Sequence, residues 1–242
     1  MSKTLLLGSG GTNKIPERVN AWKEAVKQHS TQVKQIIFIP YAVADYDQYE
    51  KNVQEQYFSG LDVEFLGIHR FDSPLKAIEQ AQALYVGGGN TFRLLYRMQE
   101  HGLLDVIREK VLSGMPYIGI SAGTNVACPT IANTNDMPIM CPPKGFNALN
   151  LIPFQINAHY TEGKLYYGPD QEHLQPYGGE SRDDRLREYH EENDTPVLAM
   201  AEGAYLKVNG HAYTLGPVGY AKLLKPKQDA IIFKSNAPVK ID

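Results

Sequence analysis

The chain has 242 residues, 43% of them hydrophobic and 21% charged, which is the balance of a folded globular protein with a sizeable core, not of a disordered segment. Its net charge is −3, and no basic stripe or polybasic segment points to a nucleic acid or an anionic membrane as partner. Apolar runs fall far short of the roughly eighteen residues a membrane span needs. The opening "MSKTLLLGSGG" reads as a first buried strand, not a signal-peptide core. Two cysteines, Cys128 and Cys141, are too few for a disulfide framework and lack ligand spacing. Both are expected to be buried thiols in a reducing, cytoplasmic setting.

In chain order, "TLLLG" at Thr4–Gly8 is strand-like, and "ERVNAWKEAVKQH" at Glu17–His29 sets Val19, Trp22 and Val26 at helical spacing. Buried strands follow at Gln35–Pro40, Val63–Ile68 and Ala83–Gly89. A helix opens at Thr91 with Asn90 or Thr91 as cap, and "YIGI" at Tyr117–Ile120 is the next strand. Strands alternating with helices predict an α/β fold with a mainly parallel sheet and helices on both faces. From about Pro196 the texture changes to short strands with turns at Glu202-Gly203 and Asn209-Gly210, an antiparallel extension of the same domain. No linker, repeat or low-complexity segment divides residues 1–242.

Ligands in such folds bind at the carboxyl ends of strands. Three features fall there. Gly119-Ile120-Ser121-Ala122-Gly123 reads G-x-S-x-G, the pattern of a nucleophile elbow, where β-carbons two residues either side of a sharply turned serine would clash. Serine between glycines is also common in ordinary turns, so the pattern gains weight only from its surroundings. The run Gly87-Gly88-Gly89 holds more glycines than one tight turn requires, and its N–H groups, with that of Ala122, suit an oxyanion hole. His159 ends the apolar strand "IPFQINA" and is the best candidate base. The other histidines (29, 69, 101, 173, 190 and 211) sit in polar stretches, at a helix end or in a hairpin.

A carboxylate should orient the imidazole, and both Asp136 in "ANTNDMP" and Glu202 in "MAEGAY" qualify. The earlier cluster Gly8-Ser9-Gly10-Gly11 fails the dinucleotide spacing, because Asn13 stands where a glycine is required, and reads as a plain strand-to-helix turn. The irregular, tyrosine-rich stretch from Glu162 to Gly179 has the character of a lid. The charge-rich Gly178–Asp194 reads mostly as a solvated helix whose start is a loop.

"VGGGNTFRLL", "YIGISAGTNVACPTIANTNDMPI", "GFNALNLIPFQINAHY" and "GESRDDRLREY" together resemble the peptidase E family of α-aspartyl dipeptidases, in the same order and through most of the chain. The loop between His159 and Glu180 is longer than in the bacterial members. The resemblance implies a single peptidase domain on a three-layer α/β/α sandwich like class I glutamine amidotransferases. It also implies cytoplasmic hydrolysis of dipeptides that begin with aspartate, without metal or other cofactor.

By the same resemblance Ser121 matches the nucleophile, His159 the base and Asp136 the acid, while Glu202 matches a residue also proposed for that last role. The Gly88, Gly89 and Ala122 N–H groups would hold the oxyanion. Arg182 is the expected grip on the substrate β-carboxylate and Glu180 the expected acceptor for its amino group. The expected partner is a small peptide, with neither nucleic acid nor membrane. A homodimer is compatible with this reading. A cyanophycinase-like serine hydrolase and a catalytically silent small-ligand binder are the competing readings.

Overall fold

Alternation along the short apolar strands decides which layer each side chain joins. A computed structural model describes residues 3–11, 15–163, 166–170, 172–176 and 178–241. The first half runs β1 (Thr4–Gly8), α1 (Pro16–His29), β2 (Gln35–Ile39), α2 (Tyr46–Val53), β3 (Glu64–Gly67), α3 (Pro74–Gln80), β4 (Ala83–Val86), α4 (Thr91–Glu100), α5 (Leu103–Leu112), β5 (Tyr117–Ile120) and the short α6 (Ala122–Asn125). Helix α2 continues into a π-helical turn over Gln54–Phe58. The five strands pair in parallel in the order β1-β5-β4-β2-β3.

Leu6, Ile36 and Phe38 pack on one face against Trp22 and Val26 of α1 and Phe58 beyond α2. Their neighbours Leu5, Leu7, Ile37 and Ile39 face the other way, toward Ile78 of α3, Leu94 of α4 and Ile107 of α5. With both faces covered, a strand reads as an unbroken apolar run, because water meets neither side. Three layers result, as expected.

The second half departs from the sequence expectation of one sheet with an antiparallel extension. It continues through β6 (Gln155–Tyr160), β7 (Tyr166–Tyr167), β8 (Gln175–Pro176), α7 (Arg182–Glu192), β9 (Val197–Ala201), β10 (Tyr205–Asn209), β11 (Ala212–Leu215), β12 (Tyr220–Leu224) and β13 (Ile231–Lys234). Only β10 and β11 extend the central sheet, antiparallel at the β1 edge. Strands β13-β12-β9-β6 form a separate four-stranded sheet in which β6 and β9 are parallel and the other pairings antiparallel.

This second sheet presents Ile156, Leu198 and Met200 to the main core, and Tyr160, Val197 and Ala199 to Leu186 of α7. The strand carrying His159 therefore belongs to another sheet than the strand carrying Ser121, although both end at one place.

Helix α7 starts on a capping box. Ser181 Oγ accepts from Asp184 N–H at 3.1 Å, and the Asp184 carboxylate accepts from Ser181 N–H at 2.9 Å. The Ser181 hydroxyl, which donates to the same carboxylate at 2.7 Å, and then the Ser181 N–H and Arg187 draw the Asp184 pKa down to about 2. Asp183 fastens the helix to the second sheet, accepting from Tyr160 Oη at 2.8 Å and Lys222 Nζ at 2.9 Å.

Of the stretch expected to be a lid, the described part includes an antiparallel pairing of Tyr166 with Pro176 and Tyr167 with Gln175. Lys164, Leu165, Gln171 and Tyr177 lie outside the described residues. Among the described residues no helix is long and apolar enough to cross a membrane. The cysteine expectation holds for Cys128, which is buried with its Sγ accepting from Ile156 N–H at 3.1 Å, and fails for Cys141, which is exposed on a loop.

Candidate active site

The elbow is built by sterics. Ser121 has φ 55° and ψ −111°, outside the regions a serine prefers. A β-carbon on Gly119 would lie 2.5 Å from Gly123 O, and one on Gly123 would lie 2.1 Å from Val86 O. The two flanking glycines are thus what lets β5 turn at once into α6. Strain of this kind costs about 1–3 kcal/mol and persists only where surroundings fix it. Here Ser121 N–H donates to Gly8 O at 2.9 Å, and Thr124 Oγ1 donates to Gly8 O (2.7 Å) and to Gly119 O (3.0 Å).

A second strained residue faces the first. His159 has φ 58°, and it sits where the β6–β9 register slips. Asn157 pairs with Ala199 and Tyr160 with Ala201, so β6 carries one residue more than its partner. Such a bulge re-aims a side chain. His159 N–H donates to Ser9 Oγ (2.9 Å), whose own proton goes to Met200 O (2.9 Å). The imidazole then spans two partners, with Nε2 2.8 Å from Ser121 Oγ and Nδ1 2.7 Å from Glu202 Oε1. The hydrogen bond from His159 holds the Glu202 carboxyl below its ordinary pKa against partial burial, with His159 and Arg18 adding charge attraction.

The carboxylate beside the imidazole is therefore Glu202, and the expectation that Asp136 fills this place is corrected. Asp136 accepts from Thr91 N–H at 2.7 Å, at the first turn of α4. Asn90 reinforces that anchoring: its side chain caps α4 through Arg93 N–H (3.0 Å) and donates to Met137 O (2.8 Å). A carboxylate at a helix N-terminus is electrostatically favoured there. Asp136 nonetheless lines the same cleft as Ser121 and His159.

The other expected residues divide. Gly88 packs on Ser121, since a β-carbon on it would lie 3.1 Å from Ser121 Cβ. Its N–H, expected to be free for an oxyanion, instead donates to the Tyr49 hydroxyl at 2.7 Å. The Gly89 and Ala122 N–H groups meet no acceptor among the described residues. Arg182, part-buried at the start of α7, has no ion pair among the described residues. Burial and Arg185 lower its pKa while Asp136 opposes them, which places it within electrostatic range of Asp136. Glu180 lies 3.5 Å from Arg185 Nε. Neither Arg182 nor Glu180 lines the cleft as described.

Gly10 and Gly11, read from sequence as part of a plain turn, stand against the site. A β-carbon on Gly10 would lie 2.2 Å from His159 Cε1, and one on Gly11 1.4 Å from Glu202 Oε2. Gly10 O accepts from Gly203 N–H at 2.7 Å, which ties this turn to the one carrying Glu202. The paired glycines just past a strand end were the available signal. Nothing local marks Ser9 or Tyr49.

The cleft, of about 470 Å³, is walled by Tyr49, Asn52, Val53, Gln56 and Tyr57 from α2 and its π-turn, and by Ser121, His159 and Asp136 with glycines 10, 11, 88 and 89. Its volume suits a ligand of dipeptide size. Asp47, Glu50 and His69 also gather ligand-type atoms within 4.8 Å, outside this cleft. There Arg70 pairs with both carboxylates, at 3.0 and 2.7 Å, and offsets part of their charge.

Residues 4–216 match the family model described as peptidase family S51. The chain belongs to peptidase family S51. Among relatives, a protein named peptidase E from Streptomyces coelicolor is 44% identical over 191 residues, 78% of this chain and 74% of its own. A peptidase E from a Nostoc species is 42% identical over 219 residues, 89% of this chain and 86% of its own. A Drosophila melanogaster protein named probable alpha-aspartyl dipeptidase is 44% identical over 198 residues, covering 81% and 78%. The crystal structure of a peptidase from an acI-B1 Actinobacterium shares the fold at TM-score 0.67 and 15% identity, over 99% of this S51 chain and 97% of that one.

Proposed function

We propose that this S51 chain is a serine-type dipeptidase that hydrolyses dipeptides with an N-terminal aspartate through an acyl-enzyme. One observation carries the reading: the unbroken chain from Ser121 Oγ through His159 to Glu202, with links of 2.8 and 2.7 Å. It stands on two residues at positive φ, 55° for Ser121 and 58° for His159, and strain of this kind clusters at active sites.

His159 Nε2 takes the Ser121 proton as Oγ attacks the peptide carbonyl, and Glu202 stabilises the imidazolium that forms. The Ala122 and Gly89 N–H groups face the developing oxyanion. His159 then protonates the leaving amine, and water releases aspartate from Ser121. For the substrate's charges, Asp136 serves as the acceptor for the free amino group from within the cleft, and Arg182 is the cation for the β-carboxylate. The aspartate preference is taken from the Drosophila melanogaster relative named probable alpha-aspartyl dipeptidase.

The test is release of free aspartate from Asp-Leu, run beside Glu-Leu, Leu-Asp and the β-linked isomer, with wild type and Ser121→Ala. Wild type should cleave Asp-Leu alone, and should label with a serine-directed phosphonate where Ser121→Ala does not. Turnover by Ser121→Ala would overturn the nucleophile. Equal cleavage of the β-linked isomer would favour the cyanophycinase-like alternative, and phosphonate-inert wild type without turnover would favour a binding protein.

A further inference from the structure

Each glycine of the run 87–89 admits a different neighbour. A β-carbon on Gly89 would lie 2.6 Å from Ala42 O, and one on Gly88 would press Ser121. One on Gly87 would lie 2.7 Å from Cε1 and 2.8 Å from Oη of Tyr49. The absence of that β-carbon lets the Tyr49 phenol reach Gly88 N–H at 2.7 Å. The ring is held in place edge-on to Phe38, at 5.2 Å between centroids and 71° between planes.

A hydroxyl that accepts one hydrogen bond still has its own proton to give. The Tyr49 proton has no acceptor among the described residues, and the side chain lines the Ser121 cleft. Accepting from Gly88 N–H polarises the O–H bond and makes it a better donor. A phenol in this place can do one of two things. It can block the Gly88 N–H, or it can take over that group's work one atom closer to the substrate.

We propose that the Tyr49 hydroxyl is a donor of the oxyanion hole, relaying the Gly88 N–H to the carbonyl oxygen of the scissile bond. This rests on the acyl-enzyme reading above. As the bond from Ser121 Oγ to the carbonyl carbon forms, the carbonyl π pair moves onto oxygen. Tyr49 O–H, Gly89 N–H and Ala122 N–H then meet the charge, and Tyr49 keeps its proton throughout. Burial pushes the phenol up to about 12, so the donor stays protonated at working pH.

Tyr49→Phe keeps the ring on Phe38 and removes only the hydroxyl. The expected result is a fall in kcat for Asp-Leu of roughly 10²–10³ with KM unchanged, as for loss of one oxyanion donor. Affinity for an aspartyl boronate, which forms a tetrahedral adduct, should fall by a like factor, while affinity for free aspartate persists. A kcat for Tyr49→Phe equal to or above wild type overturns the proposal, since the freed Gly88 N–H would then be the donor. So does a fall in kcat with boronate affinity intact.

If Tyr49→Phe proves unstable, difluorotyrosine at position 49 keeps the shape. It should move the alkaline fall of kcat to lower pH, and an unmoved limb overturns the proposal. Ser121→Ala in parallel separates the two readings. Turnover there sinks the acyl-enzyme, whereas inert Ser121→Ala beside fully active Tyr49→Phe sinks the Tyr49 donor alone.

Discussion

Glu202 reaches His159 Nδ1 at 2.7 Å from the turn after β9, the strand that runs parallel to β6 in the second sheet, and Asp136 makes its bond to Thr91 N–H instead. Amide replacement separates the two carboxylates. Glu202→Gln keeps the shape and offers His159 the wrong partner for its tautomer, so kcat should fall on the order of 10⁴, by the precedent of the serine-protease triad. Asp136→Asn should leave kcat far less affected and act on KM, as removal of the negative charge proposed to face the substrate amino group. Steady-state kinetics on Asp-Leu decide. A kcat loss concentrated in Asp136→Asn would return the acid role to Asp136.

The same pair makes stability depend on pH. Glu202 has a depressed carboxyl pKa in the folded state, first because His159 donates to it. The folded state therefore favours the ionised form. Its contribution is complete above the ordinary value of 4.5 and is lost as pH falls through the depressed folded value. Melting curves of wild type and Glu202→Gln should differ most near neutrality and converge in acid. A Tm difference that holds constant between about pH 7 and about pH 3 would show that charge plays no part in the pairing.

Arg182 occupies a costly place. It is part-buried without an ion pair among the described residues, and it opens α7, where the helix dipole disfavours a cation. Arg182→Ala should accordingly leave Tm unchanged or raise it. For Asp-X substrates kcat/KM should drop by a factor equivalent to about 2–5 kcal/mol of transition-state stabilisation, the cost of stranding a paired charge. Assay against Asn-Leu checks the cause. If Arg182→Ala still prefers aspartate to asparagine as strongly as wild type, another cation reads the β-carboxylate.

The sequence by itself determined what local physics controls. The parallel strands are legible because burial on both faces makes each a short unbroken apolar run, so Thr4–Gly8 and Tyr117–Ile120 coincide with β1 and β5. The elbow is legible because one of its clashes is local, between Gly119 and the Gly123 carbonyl, whereas the clash at Gly123 is with Val86 O of β4 and depends on packing. His159 stands out because a polar residue ends an apolar run.

Only the tertiary structure decided the partners of these groups. The choice of Glu202 over Asp136 depends on a bulge that adds one residue to β6 and on β9 lying beside it in a second sheet, and a one-residue slip leaves no compositional trace. The closeness of Gly10 and Gly11 to the imidazole and carboxylate, and the reach of Tyr49 to Gly88, join residues far apart in sequence. Such contacts are set by how layers stack, a property of the packed whole that no window of sequence contains.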